Sequence, residues 1–86
     1  MSDLAHQFET AAEAVQKLSK KPDNADLLKL YALFKQGSTG DVVGDRPGLM
    51  DFVGRAKYDA WSGVEGMDQE EAMRAYIDLV DSLTPE

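Results

Sequence analysis

The chain has 86 residues and a mass of 9.5 kDa, enough for a single domain, 1–86, with one site and no large enclosed cavity. Without a cysteine it can build no disulfide, thiolate metal site or cysteine nucleophile, and a reducing setting, the cytoplasm, is expected. A formal net charge of -7 argues against a nucleic-acid partner, no run approaches the ~18 apolar residues of a membrane span, and Met1-Ser2-Asp3-Leu4 reads as neither a secretory leader nor a myristoylation signal.

Leu4, Phe8, Ala11, Ala12, Val15 and Leu18 recur at helical spacing with Glu9 and Glu13 between them, which predicts an amphipathic first helix capped at Ser2 or Asp3. Lys20-Lys21-Pro22 should end it, because proline cannot extend a helix and drives the residue before it toward extended angles. Asp23 or Asn24 then opens a second helix through Gln36, where Leu27, Leu28, Leu30, Tyr31, Leu33 and Phe34 cover more than one face. A helix so apolar must be covered on two sides, or cover something itself.

Residues 37–48 hold four of the seven glycines, and so long a connection in a small domain reads as an ordered loop shaping a site. Asp51 can cap a third helix carrying Phe52, Val53, Ala56, Ala60 and Trp61, ended by Gly63 or Gly66. Asp68 with Glu71 three residues later resembles a capping box ahead of a fourth helix through Ala72, Met73, Tyr76, Ile77, Val80 and Leu83. Four helices, no credible strand and no repeat predict one all-α bundle.

Catalytic equipment is sparse. His6 is the only histidine and reads as solvated surface. Asp68, Glu70 and Glu71 suit a helix start better than a metal. Residues 41–46 lack the alternating oxygen ligands and closing glutamate of a calcium loop, and glycines 37, 40, 44 and 48 fit neither a dinucleotide fingerprint nor a phosphate loop. No activated nucleophile or acid-base pair is visible, so neither an enzyme nor a metal protein is expected.

Charge is distributed unevenly. Residues 1–16 hold three acids and no Lys or Arg, residues 17–57 eight cations and five acids, and residues 58–86 one cation and eight acids. The central island can serve one anionic group within an acidic molecule. Tyr31, Phe34 and Lys35 share a helical face at i, i+3 and i+4, and Lys57 and Trp61 stand at i, i+4 on the third helix. Rings beside two cations suit a nucleotide base and its phosphate. The same spacing also suits core aromatics with solvated lysines, and spacing alone leaves both readings open.

Read with its flanks, the pattern becomes specific. Tyr31-Ala-Leu-Phe34-Lys35-Gln36-Gly37-Ser38-Thr39-Gly40-Asp41, then Arg46-Pro47-Gly48, then Asp51-Phe52-x-Gly54-x-Ala56-Lys57-Tyr58-x-Ala60-Trp61 resembles the signature of the acyl-CoA-binding proteins, the family of the diazepam-binding inhibitor. The likeness runs without gaps from about Phe8 to Leu83. It implies a four-helix up-down-down-up bundle that binds one long-chain acyl-CoA ester, as a carrier and buffer, and performs no chemistry on it. Carried across by motif, Tyr31, Lys35 and Lys57 would hold the 3′-phosphate and Phe34 would pack near the adenine. Tyr76 would contact the CoA portion, Ala12 and Gln16 would edge the site, and Leu28 and Val53 would flank the acyl path. The resemblance further implies a monomer with no cofactor besides its ligand and with acyl-CoA-using enzymes as transient partners.

This sequence departs from the family pattern at Phe34, where a second tyrosine is usual, at Tyr58, where tryptophan is common, and at Gln16 and Val53, which replace basic residues. The rival reading, from residues alone, is an acidic helical interaction module whose leucine-rich second helix docks a partner helix.

Overall fold

The computed structural model describes residues 3–84. Four helices lie within them, α1 (Leu4–Gln16), α2 (Asn24–Ser38), α3 (Phe52–Ser62) and α4 (Gln69–Leu83), with no strand among the described residues. Three starts are fixed by carboxylates that accept from orphan backbone N–H groups: Asp23 from Asp26 at 2.9 Å, Asp51 from Gly54 at 2.9 Å and Asp68 from Glu70 at 3.2 Å. The last bond differs from the expected box, since Glu71 brings charge to the first turn rather than a reciprocal bond. Asp3 precedes α1 without a side-chain cap bond, and Ser2 lies outside the described residues.

Two helix ends differ from the spacing-based expectation. α1 stops at Gln16, short of Lys20, where the Lys17 N–H closes on the Ala14 carbonyl at 3.0 Å. Leu18 lies beyond the helix and is half-buried. α2 instead continues through Gly37 and Ser38. Gly37 is buried against Phe8 and Met73, and the Ser38 hydroxyl donates to the Phe34 carbonyl at 2.7 Å, so glycine here serves close packing rather than termination.

Direction follows from cross-helix pairs. Gln36 Nε2 donates to the Met67 carbonyl at 2.8 Å and Gln69 Nε2 to the Gly37 carbonyl at 3.3 Å, so the end of α2 meets the start of α4 and the two are antiparallel. Phe8, early in α1, stacks on Phe34, late in α2, at 5.3 Å between ring centres. Lys57 lies over Tyr31 and Lys35 over Trp61, the same sequence offset twice, as only parallel helices keep. The order is therefore up-down-down-up.

α4 packs between α1 and α2, and α3 packs on α2 alone among the helices. The result is a flat body of 40 × 32 × 15 Å. Its core gathers Phe8 and Ala11 of α1, Leu30 and Leu33 of α2, and Ala72, Tyr76 and Val80 of α4. α3 stands outside that core and leaves a seam along α2.

Candidate ligand-binding site

The inward residues of α2, Leu30, Ala32 and Leu33, are buried. Turning them inward leaves Tyr31 and Lys35 on the opposite side by helical geometry, with Phe34 at the border of the two faces, where it meets Phe8 and Tyr76. The Lys35 ammonium lies 5.1 Å from the centre of the Trp61 ring, and Lys57 answers from α3 at 5.4 Å from the Tyr31 ring. Each lysine thus reaches across the seam between the parallel helices. The two registers are one helical turn, about 5.4 Å, apart along the axes. Neither ammonium has a carboxylate within ion-pair distance among the described residues, where the one salt bridge is Arg46–Asp59.

Beside this pair of cations runs an apolar groove of about 360 Å³, lined by Asn24, Leu27, Leu28 and Tyr31 of α2 and Phe52, Val53, Ala56 and Lys57 of α3. Four expected site residues, Leu28, Tyr31, Val53 and Lys57, line it together. Ala12 and Phe34 meet instead in a second groove on the α1 side of α2, of about 520 Å³, with Phe8, Glu9, Glu13 and Met73. Lys35, one turn beyond Tyr31 on α2, lines neither groove. Gln16 is exposed and lines neither groove.

Tyr76 is only 4% exposed. Its ring stands edge-on to Phe8 at 5.1 Å and tilted against Phe34 at 5.8 Å, and burial pushes its phenol above the ordinary tyrosine pKa. It underlies Phe34 rather than sharing a groove wall with it. The half-exposed Phe34 ring, held from beneath, is a preset stacking surface.

The connection 39–51 is tied to the helices at several points. The buried Trp61 indole donates to the Gly40 carbonyl at 2.8 Å, and the Tyr58 hydroxyl to that of Gly44 at 3.0 Å. Arg46 grips Asp59 through Nε (2.9 Å) and Nη2 (2.7 Å), which holds the carboxyl below its usual pKa and the guanidinium above its own. Asp41 accepts from the Gly66 N–H and from buried Gln36 Nε2, both at 2.8 Å, and these bonds lower its pKa in that order. Gly40 and Gly66 have φ of 99° and 90°, where a side chain would be strained.

Sequence reasoning did not single out Leu27, Phe52 and Ala56 as groove residues. The signal was present, since Leu27 lies one turn before Tyr31, and Phe52 one turn before Ala56 on the Lys57 side of α3. The Asp41–Gly66 bond left no trace, because it joins residues far apart along the chain. No group of three or more His, Cys, Asp or Glu able to hold a metal occurs among the described residues.

A thin all-α body with a greasy seam, two ammonium groups that have no carboxylate partner among the described residues and aromatic rings alongside defines a binding module for an amphiphile with an anionic head. Known proteins agree with that class. Residues 5–80 match the sequence model of the family described as acyl CoA binding protein. The acyl-CoA-binding protein homolog of Manduca sexta is 51% identical over 81 residues, covering 93% of this chain and 90% of that one, and homolog 1 of Caenorhabditis elegans is 47% identical over 76 residues, covering 88% of each. The crystal structure of Oryza sativa acyl-CoA-binding protein 2 superposes with a TM-score of 0.89 at 44% identity, covering 93% of this chain and 87% of that chain. This chain belongs to the acyl-CoA-binding protein family.

Proposed function

We propose that the protein is a carrier and buffer for long-chain acyl-CoA, with the acyl chain in the α2/α3 groove, and that it carries out no reaction on its ligand. The arrangement that carries this reading is the seam itself, where Lys35 and Lys57 reach from opposite helices beside an apolar trough. The 3′-phosphate of the CoA head is assigned to Lys35, Lys57 and the Tyr31 hydroxyl. The adenine is assigned to the exposed face of Phe34, with Ala12 at its edge. Tyr76 then acts from beneath Phe34.

Magnitudes divide the labour. About fifteen methylenes at ~0.8 kcal/mol each set a ceiling of ~12 kcal/mol for a fully buried tail. An open groove and the cost of ordering the ligand remove much of it. Charge-assisted bonds to phosphate contribute roughly 1.5–3 kcal/mol each whatever the tail. The head therefore sets identity and the tail sets affinity.

We further assign the protein to the cytoplasm, with which the absence of cysteine is compatible, as a monomer that hands its ligand to acyl-CoA-using enzymes. Calorimetric titration with CoA esters of increasing acyl length, with free CoA and free fatty acid as controls, tests the carrier reading. Affinity should climb with chain length and fall steeply for both controls. Equal binding of free CoA and its long-chain ester would exclude the groove as the acyl site.

A further inference from the structure

The two site lysines rest on rings that are held in different ways. Lys57 lies over Tyr31, which is carried within α2. Lys35 lies over Trp61 near the end of α3, the helix that packs on α2 alone among the helices. Helix packing therefore secures Trp61 from one side only, and the connection 39–51 supplies the rest. Its first tie is the indole N–H, which donates to the Gly40 carbonyl at 2.8 Å.

That carbonyl forms the peptide bond to Asp41, and the chain is fixed on both sides of it. Before it, the Gly40 N–H turns back on the Gln36 carbonyl at 3.1 Å, with a φ of 99° that favours glycine. After it, a single Asp41 oxygen, Oδ1, accepts from the Gly66 N–H and from Gln36 Nε2, both at 2.8 Å. Gln36 is only 1% exposed and donates also to the Met67 carbonyl at 2.8 Å, so the anchor is the junction of α2 with the start of α4. Pinning Asp41 there aims the Gly40 carbonyl, and the carbonyl holds the indole. Asp41 itself lines neither groove.

A ring face attracts an ammonium through its charge, which leaves the three N–H donors of lysine for an anion. A lysine placed in advance need not be ordered when the ligand arrives, and affinity gains by that saving. We propose that Asp41 is a positioning residue for the CoA head: through Gly40 and Trp61 it holds the Lys35 ammonium ready for the 3′-phosphate, and so sets how strongly the protein prefers that phosphate. The inference rests on the assignment of Lys35 to the phosphate and adds the residue that prepares it.

Calorimetric titration of the full chain with a long-chain CoA ester and with its dephospho counterpart reads that preference. Asp41→Ala removes both accepted bonds at an exposed position. It should lower the preference about two- to fivefold, the contribution of one cation–π contact near the surface, and bind the dephospho ester nearly as the parent does. Asp41→Asn keeps an oxygen that can accept both bonds and should retain the parent preference. Trp61→Phe keeps a ring but loses the bond to Gly40, and should lower the preference by a similar factor. Combined with Asp41→Ala it should lower it no further, since both act along one path. The near-ultraviolet circular dichroism of Trp61, the only tryptophan, should weaken in Asp41→Ala and persist in Asp41→Asn.

Equal weakening of both esters by Asp41→Ala would make Asp41 a structural brace and overturn the proposal, as would additive losses in the double variant. A parent that binds the two esters alike would overturn the phosphate assignment and this inference together. Discrimination by the parent that survives undiminished in Asp41→Ala would overturn this inference alone.

Discussion

Replacing Lys57 by methionine removes an ammonium while keeping most of its stem, and the structure separates the effect on folding from the effect on binding. In the folded protein Lys57 is exposed and engages the Tyr31 ring at 5.4 Å. A cation–π contact at an exposed site contributes about 0.5–1 kcal/mol, which bounds the stability loss, since Lys57 has no ion-pair partner among the described residues. If its ammonium holds the 3′-phosphate, binding loses one charge-assisted bond of roughly 1.5–3 kcal/mol, or about 10- to 150-fold in Kd. Calorimetry should compare a long-chain CoA ester with its dephospho counterpart on parent and variant. The parent should prefer the complete ester strongly, and the variant should lose most of that preference while binding the dephospho ester nearly as before. An undiminished preference in Lys57→Met would refute the assignment of that residue to the phosphate.

Gly37→Ala tests the close approach of α1. Alanine gains about 0.5–1 kcal/mol of helix propensity, but its Cβ would lie 3.0 Å from Phe8 Cζ and 3.1 Å from Met73 Cγ. The Phe8 ring is confined by Phe34 and Tyr76, so overpacking of about 1–3 kcal/mol should win and the urea midpoint should fall; a rise would show that the ring yields. Trp61→Ala removes a buried indole and its bond to Gly40, and chemical denaturation should register about 3–5 kcal/mol, whereas a loss below 1 kcal/mol would contradict its anchoring role. Asp41 and Asp59 have lowered pKa values in the folded chain, so their contribution is present above the ordinary carboxylate pKa of about 3.9 and is lost as pH falls through their folded values. Melting temperature should be level toward neutrality and decline in acid, and Asp41→Asn should flatten the decline; an identical acid profile would remove Asp41 from the explanation.

Helix existence was legible because apolar spacing, carboxylate caps and Pro22 act locally, whereas the up-down-down-up order was available only through the family resemblance, since direction depends on contacts between helices. The end of α1 was not legible, since Leu18 keeps the helical spacing of the apolar residues before it although the helix has already ended at Gln16. The extension of α2 through Gly37 depends on Phe8 and Met73, which no local window contains. At the site, i, i+4 spacing put Tyr31 and Lys35 on one helix face and Lys57 and Trp61 on another, while their crossed partnership required the parallel packing of α2 and α3. Spacing could not tell that Phe34 faces a different groove from Leu28, nor that Tyr76 is covered by the ring it was expected to accompany. Those facts depend on how helices lean on one another, not on periodicity within one helix.

α3 has a single helical neighbour, and that neighbour supplies the other wall of the groove. Detaching α3 would abolish the groove while leaving the core of α1, α2 and α4 in place. A molecule lodged between the walls acts as a clasp on the outermost rod. Occupancy should therefore slow amide exchange most along α3 and least in the buried turns of α4, so that the ligand completes the very partition that holds it.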